Sequence, residues 1–220
     1  MTTQQILSLN AFQPEEGVGL ADDVARLVAR RQRSFGASSV LFYQQPLHVV
    51  SASGAMIRTA DGSEYLDLYN NVPSVGHCHP KVVAAVQEQV AQLNCHTRYL
   101  FDNVHDYAER LLATFPPPLS NLALTCTGSE SNDLALRIVR QATGGAGFIV
   151  TETAYHGNTA AVTEVSPSSY KQGTPPRHVR MVSAPDPRNF PGDLGAGFAA
   201  AVRAAIAGLA RSPQPISRTI

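Results

Sequence analysis

LALTCTGSESNDLALRIVRQATGG, residues 122–145, decides the reading of this chain. Its first five residues, 122–126, form a short apolar run with the look of a buried strand. Thr127-Gly128-Ser129-Glu130 then separates that run from a helical pattern over 129–143, which Gly144 and Gly145 break. FIVTE (148–152) reads as the next strand and HVRMVS (178–183) as a third, followed by an Ala-rich helical stretch over 194–210. Strand, helix, strand at this spacing predicts parallel crossovers in a doubly wound α/β sheet.

Working outward, the first hundred residues have another grammar. A helical pattern spans 20–35 and ends at Gly36. Runs at 48–51, 55–59 and 64–68 are separated by Ser53-Gly54 and Asp61-Gly62, and an Asp-Gly pair is a strong hairpin turn. An antiparallel meander is expected. NNVPSVGHCHP (70–80) is turn-like, and Pro80 suits the start of the helix that KVVAAVQEQVAQLN predicts. A further helix fits 102–115, where Pro116, Pro117 and Pro118 stop it. The change of pattern places a boundary near residue 100. Residues 1–100 form an N-terminal segment, and 101–220 belong to a second, sheet-based domain.

Composition narrows the function classes. The 220 residues carry 17 Lys+Arg and 17 Asp+Glu, so the net charge is zero. A neutral chain has no overall electrostatic footprint for nucleic acid. Arg30, Arg31 and Arg33 could form a basic patch, but no set of stacking aromatics accompanies them, and cations suit a helix C-terminus. Three cysteines, Cys78, Cys95 and Cys126, do not make a disulfide framework. The start, MTTQQILSLNAF, lacks the pattern of a signal peptide, and the stretch 194–210 is too short for a membrane span and carries Arg203. The expectation is a soluble cytoplasmic protein with no nucleic-acid or membrane partner.

Three segments carry candidate chemistry. Thr127-Gly128-Ser129-Glu130, between strand and helix, points unpaired backbone N–H groups at the sheet's carboxyl edge, where phosphate binds. Gly128 lets the backbone approach closely and the Ser129 hydroxyl adds a donor. The competing reading is a capping box formed by Thr127 and Glu130, and the two are compatible. The glycines match neither a dinucleotide fingerprint nor a Walker lysine loop. Ala154-Tyr155-His156-Gly157 follows the strand 148–152, so Tyr155 and His156 belong on the same edge. An aromatic beside a phosphate site suggests a phosphorylated ring compound stacked on Tyr155; the alternative is an aromatic that closes the core. Gly76-His77-Cys78-His79-Pro80 and Cys95-His96 contain zinc-ligand types, but their spacing fits no structural zinc pattern. A tight turn before a helix, with histidines capping carbonyls, is preferred, and no metal is expected.

DGSEYLD, NNVPSVGHCHP, HTRYLFD, TCTGSESNDLALR and AYHGNT occur here in one order, and together they resemble the class III, pyridoxal-phosphate-dependent aminotransferases of fold type I. The likeness runs from about residue 41 to at least 186. Its wording is closest to the branch that holds the amino-alcohol phosphate phospho-lyases and the alanine–glyoxylate-like aminotransferases. Ser131 stands where many members carry alanine. The resemblance implies an N-terminal segment with an antiparallel meander, contributing to a small domain and a dimer contact. It also implies the first half of a mostly parallel three-layer αβα large domain that binds pyridoxal 5'-phosphate. Gly128 and Ser129 match the pair that holds the cofactor phosphate, with Thr127 beside them. Tyr155 matches the aromatic stacked on the pyridine ring, followed by His156, while Glu130 and Asn132 match the acidic/amide pair near the cofactor. The 71–79 and 96–99 stretches would line the substrate entrance, often across the interface of a homodimer.

The family's chemistry also needs a lysine that forms a Schiff base with the cofactor and an aspartate against the pyridine nitrogen. Only Lys81 and Lys171 occur, and neither has the family's lysine context. No catalytic residue is therefore assigned in this chain, which is expected to be an incomplete enzyme, inactive alone. The parent reaction implied first is transfer of an amino group between an amine or amino acid and a 2-oxo acid. The alternatives are elimination of phosphate from an amino-alcohol phosphate, and a non-catalytic remnant or interaction module.

Overall fold

The computed structural model of the chain describes residues 11–13, 19–36, 40–69, 73–170 and 174–211. Two compact units divide the chain, Met1–Leu100 and Phe101–Ile220. Among the described residues, no helix is long and apolar enough to cross a membrane.

In the first unit, helix α1 (Asp22–Phe35) opens with Asp22 and Asp23 and closes with Arg33, charges placed as the helix dipole favours. Arg31 lies over the Phe35 ring, 4.8 Å from its centroid. His48 Nδ1 sits 2.8 Å from Asp23 Oδ2, and that hydrogen bond holds the Asp23 carboxyl below the usual range. The meander forms as expected, β1 (Val49–Ser53), β2 (Met56–Thr59) and β3 (Glu64–Leu66) pairing antiparallel in that order. The register aligns Ser53 with Met56 and Arg58 with Glu64, whose side chains form an ion pair. At the β2–β3 turn, Asp61 Oδ1 accepts from Thr59 Oγ1 at 2.6 Å and from the Ser63 N–H at 3.0 Å, while Gly62 takes φ 87°.

The segment before α2 (Pro80–Gln92) is built residue by residue. Gly76 runs against the hairpin, where a Cβ would lie 3.0 Å from Gly54 Cα. His77 exchanges backbone hydrogen bonds with Gly54, at 2.8 and 3.1 Å, and its Nε2 sits 3.0 Å from Asp67 Oδ2. Cys78 adopts φ 52°, His79 Nδ1 accepts from the Lys81 N–H at 3.3 Å, and Pro80 opens the helix. The turn-before-a-helix reading holds, with one correction. The histidines cap an N–H and pair with a carboxylate rather than capping carbonyls, because a helix start presents free donors, not acceptors. Among the described residues, no cluster of three or more metal-ligating side chains exists. His96 stacks on Tyr99 at 5.0 Å instead.

The second unit begins with α3 (Asp102–Leu112), which stops short of 115 because the Thr114 and Phe115 N–H groups bond three residues back ahead of the proline run. Helix α4 (Gly128–Thr143) ends on Gly144, left-handed at φ 66°, whose N–H reaches Arg140 O at 2.9 Å. Strand β4 (Phe148–Thr151) pairs in parallel with β5 (Val179–Val182), Phe148 opposite Val179 and Thr151 opposite Val182. The crossover contains two elements without a sequence signal, the one-turn helix α5 (Ala160–Thr163) and a 3-10 turn at Pro167–Ser169. Helix α6 (Leu194–Ala210), capped by Asp193 Oδ1 on the Ala196 N–H at 2.9 Å, packs on β5 and β4. The core gathers Phe148, Val165 and Val179 with Leu136 and Val150 against them, and Val162 and Leu209 are fully buried.

Residues 122–126 differ from expectation, since they form no strand. A strand exists by exchanging N–H and C=O groups with a neighbour, and among the described residues this segment has none. Leu122 and Leu124 are exposed.

Candidate functional site

The start of α4 and the loop after β4 are locked together. Thr127 is the N-cap, its Oγ1 accepting from the Glu130 N–H at 3.1 Å. Glu130 reaches back, but to the N–H of Cys126 at 2.8 Å, one residue earlier than a capping box requires. Ser131 donates to Thr127 O at 3.2 Å and its hydroxyl also meets that of Thr125. The carboxylate and both hydroxyls thus hold the turn from behind.

Two donors at the helix start are left over. The N–H groups of Gly128 and Ser129 make no hydrogen bond to another described residue. A Cβ on Gly128 would meet nothing within 4 Å, so open space lies beside these donors. Unpaired N–H groups at the positive end of a 16-residue helix, with room in front of them, have the chemistry of an anion cradle.

The facing wall is Gly157-Asn158. Gly157 takes φ 132° and is buried; a Cβ there would lie 2.5 Å from Ser129 Oγ and 2.7 Å from Ser129 Cα. Only glycine fits so close an approach. Ser129 Oγ accepts from the Asn158 N–H at 3.1 Å and donates to Asn158 Oδ1 at 3.1 Å. One turn along, Asn132 Nδ2 donates to His156 O at 2.7 Å. The His156 N–H donates to Ser166 Oγ at 3.0 Å, and the fully buried Ser166 passes its own proton to Val162 O at 2.8 Å. The loop is thereby fastened to α4 on one side and to α5 on the other.

The sequence-predicted residues are therefore brought together, though by another route than expected. Strand pairing between 122–126 and β4 does not place Tyr155 and His156 near Gly128; the Gly157–Ser129 contact does. Tyr155 is 63% exposed, so its ring is available and does not close the core. Glu130 and Asn132 serve the scaffold, one holding Cys126 and the other His156. Asn158 and Ser166 were missed. Asn158 lay inside the quoted AYHGNT motif, whereas Ser166 has no local signal at all. Of the two lysines, Lys81 is the second residue of α2 in the first unit, and Lys171 lies outside the described residues, as do Asn70, Asn71 and Val72 of the 70–80 stretch.

Comparison with known proteins adds four findings. The model of the family described as aminotransferase class III matches residues 40–209. A Drosophila melanogaster protein named alanine–glyoxylate aminotransferase 2-like is 39% identical over 71% of this chain and 32% of its own length. A Caenorhabditis elegans ethanolamine-phosphate phospho-lyase homolog is 37% identical over 73% of this chain and 35% of its own. Among solved structures, an Arthrobacter phospholyase in complex with phosphoethanolamine superposes with a TM-score of 0.76 at 45% identity, covering 83% of this chain and 44% of that one. The chain thus spans about a third of the length of these curated relatives.

Proposed function

The chain belongs to the class III aminotransferase family, whose cofactor is pyridoxal 5'-phosphate, and from that premise we propose that its second unit holds the cofactor phosphate at the start of α4. The carrying observation is the pairing of two unpartnered N–H groups, Gly128 and Ser129, with open space at Gly128. The donor set suits a phosphate dianion, since the Gly128 and Ser129 N–H groups and the Ser129 hydroxyl are all hydrogen-bond donors. Thr127 and Glu130 hold the turn rigid, Tyr155 offers its exposed ring to the pyridine face, and Asn132 fixes the His156 backbone beside it. When bound, the cofactor supplies an electron sink for breaking bonds at an amine carbon.

For the whole protein the reading favoured is a phospho-lyase acting on an amino-alcohol phosphate, because the likeness to the Arthrobacter phospholyase reaches 45% identity. That reaction consumes water and releases an aldehyde, ammonia and inorganic phosphate in equal amounts. The second reading is amino-group transfer to a 2-oxo acid, favoured by the likeness to the Drosophila alanine–glyoxylate aminotransferase 2-like protein. A homodimer is proposed for the whole protein. The 220-residue chain alone is proposed to bind without turnover, since neither Lys81 nor Lys171 stands in the family's lysine context. Incubating the protein from its source cells with phosphoethanolamine, with and without an added 2-oxo acid, decides between the reactions. Phosphate release without a 2-oxo acid supports the first, and 2-oxo acid consumption without phosphate release supports the second. Turnover by the isolated chain, lost in Lys81→Ala or Lys171→Ala, overturns the proposal that it is inactive alone.

A further inference from the structure

The Ser129 hydroxyl has one proton, and it is donated to Asn158 Oδ1 at 3.1 Å. The Asn158 main-chain N–H separately supplies a proton to the same oxygen, also at 3.1 Å. A phosphate dianion only accepts hydrogen bonds. For Ser129 to contact it, the hydroxyl must turn its proton away from Asn158. The main-chain bond survives that rotation, because Ser129 Oγ remains an acceptor toward the Asn158 N–H.

We propose that the Asn158 side chain is an internal competitor for the Ser129 proton, a self-latch that stabilises the anion-free site and weakens phosphate binding. This rests on the reading of the α4 start as the cofactor-phosphate site. One proton cannot serve both acceptors, so a bond that phosphate must displace opposes binding by its own worth. An exposed side-chain hydrogen bond is worth little net, so its removal tightens binding by roughly two- to fivefold. The effect acts through Ser129 alone and concerns only ligands that carry a phosphate.

The test is a titration of the 220-residue chain with pyridoxamine 5'-phosphate, followed by the ligand's fluorescence. This probe lacks the aldehyde that would label lysines at random. Asn158→Ala deletes the acceptor and keeps the main-chain N–H, and Asn158→Leu does the same while retaining bulk; circular dichroism identifies any variant that fails to fold. Both should bind the probe roughly two- to fivefold more tightly than the parent chain. Ser129→Ala should bind more weakly, and adding Asn158→Ala to it should change nothing further. Unphosphorylated pyridoxamine should show no gain. If Ser129→Ala weakens binding but both Asn158 variants leave it equal or weaker, the latch is refuted while the site stands. If the parent chain prefers the phosphorylated probe no more than pyridoxamine, and Ser129→Ala is silent, the site and the latch both fall.

Discussion

Gly157→Ala is the sharpest probe of the contact that assembles the site. A Cβ at this position would stand 2.5 Å from Ser129 Oγ, 2.7 Å from its Cα and 2.8 Å from its Cβ. Carbon atoms at rest sit about 3.5–4 Å apart, so the clash exceeds half an ångström and involves backbone, which cannot rotate away. Overpacking of this kind costs about 1–3 kcal/mol. The backbone at φ 132° adds about 1–3 kcal/mol for a residue with a side chain. The expected loss is therefore about 2–6 kcal/mol, a large part of the roughly 5–15 kcal/mol that holds a domain together. Gly144→Ala, in the same unit, is the control. It also has positive φ, at 66°, but its added Cβ meets nothing within 4 Å, so only a backbone penalty of about 1–2 kcal/mol applies. Urea denaturation followed by far-ultraviolet circular dichroism reads both variants on the second unit's transition. Ser129→Ala should rescue Gly157→Ala only in part, since it removes the hydroxyl and leaves Cα and Cβ in place. If Gly157→Ala shifts the midpoint no more than Gly144→Ala does, the loop does not press on α4 and the reasoning is wrong.

Other substitutions separate neighbouring parts of the argument. Ser166→Ala leaves the His156 N–H and Val162 O without their partner in a fully buried place; a loss of about 1–3 kcal/mol is expected by thermal melting, and an unchanged melting point would show that the loop is not anchored there. In the first unit, His77→Ala removes one partner of Asp67, a side chain only 3% exposed. Urea denaturation should show a loss of about 2 kcal/mol, largely restored by the longer donor amide of His77→Gln, whose Nε2 matches the position of the imidazole Nε2. Asp61 is held below the ordinary carboxyl range, first by Thr59 and then by the Ser63 N–H. Its contribution is present above the unfolded value of about 3.9 and is lost as pH falls through the lowered folded value. The urea midpoint of Asp61→Asn should accordingly fall less than that of the parent chain between about pH 5 and about pH 3. Gly128→Ala should fold at least as well as the parent, because alanine outranks glycine by about 1 kcal/mol in a helix interior and by less at this first helical position, yet lose affinity for pyridoxamine 5'-phosphate as its methyl fills the cradle. Unchanged affinity would move the anion elsewhere.

Much of the architecture was legible because its signals are local. Asp61-Gly62 announces a hairpin from two residues, Pro80 announces a helix start, and Gly144 marks a helix end. The helix 194–210 was bounded to the residue by the extent of its apolar run, and the structure adds Asp193 as its cap. Residues 122–126 show what local pattern does not supply. An apolar five-residue run states that burial would be favourable, not that a strand neighbour is present to complete it. The helix α5 and the Pro167–Ser169 turn have too few residues for any periodicity to emerge. At the site, TGSE was readable as a cap and an anion turn together. Glu130 reaching Cys126, rather than Thr127, depends on the path of the chain before the helix, which no spacing encodes.

The two glycines at the site illustrate why motif residues need separate physical accounts. Gly157 is demanded by the fold, since its positive φ and the nearness of Ser129 exclude any side chain whether or not a ligand is bound. Gly128 is demanded by nothing within the chain. Its backbone is helical, its Cβ would stand in open space, and its helix would gain from alanine. A residue that costs stability and relieves no internal contact is explained by what approaches from outside. On the reading proposed above, that is a group close enough to need the bare backbone and negative enough to use two free N–H donors. The same reasoning separates Asn158 from its neighbour. Its main-chain N–H donates to Ser129 Oγ, whereas its side-chain oxygen accepts the one proton that a phosphate would also claim. The fold thus accounts for Gly157 through its contact with Ser129, and the proposed ligand accounts for Gly128 one residue earlier in the helix.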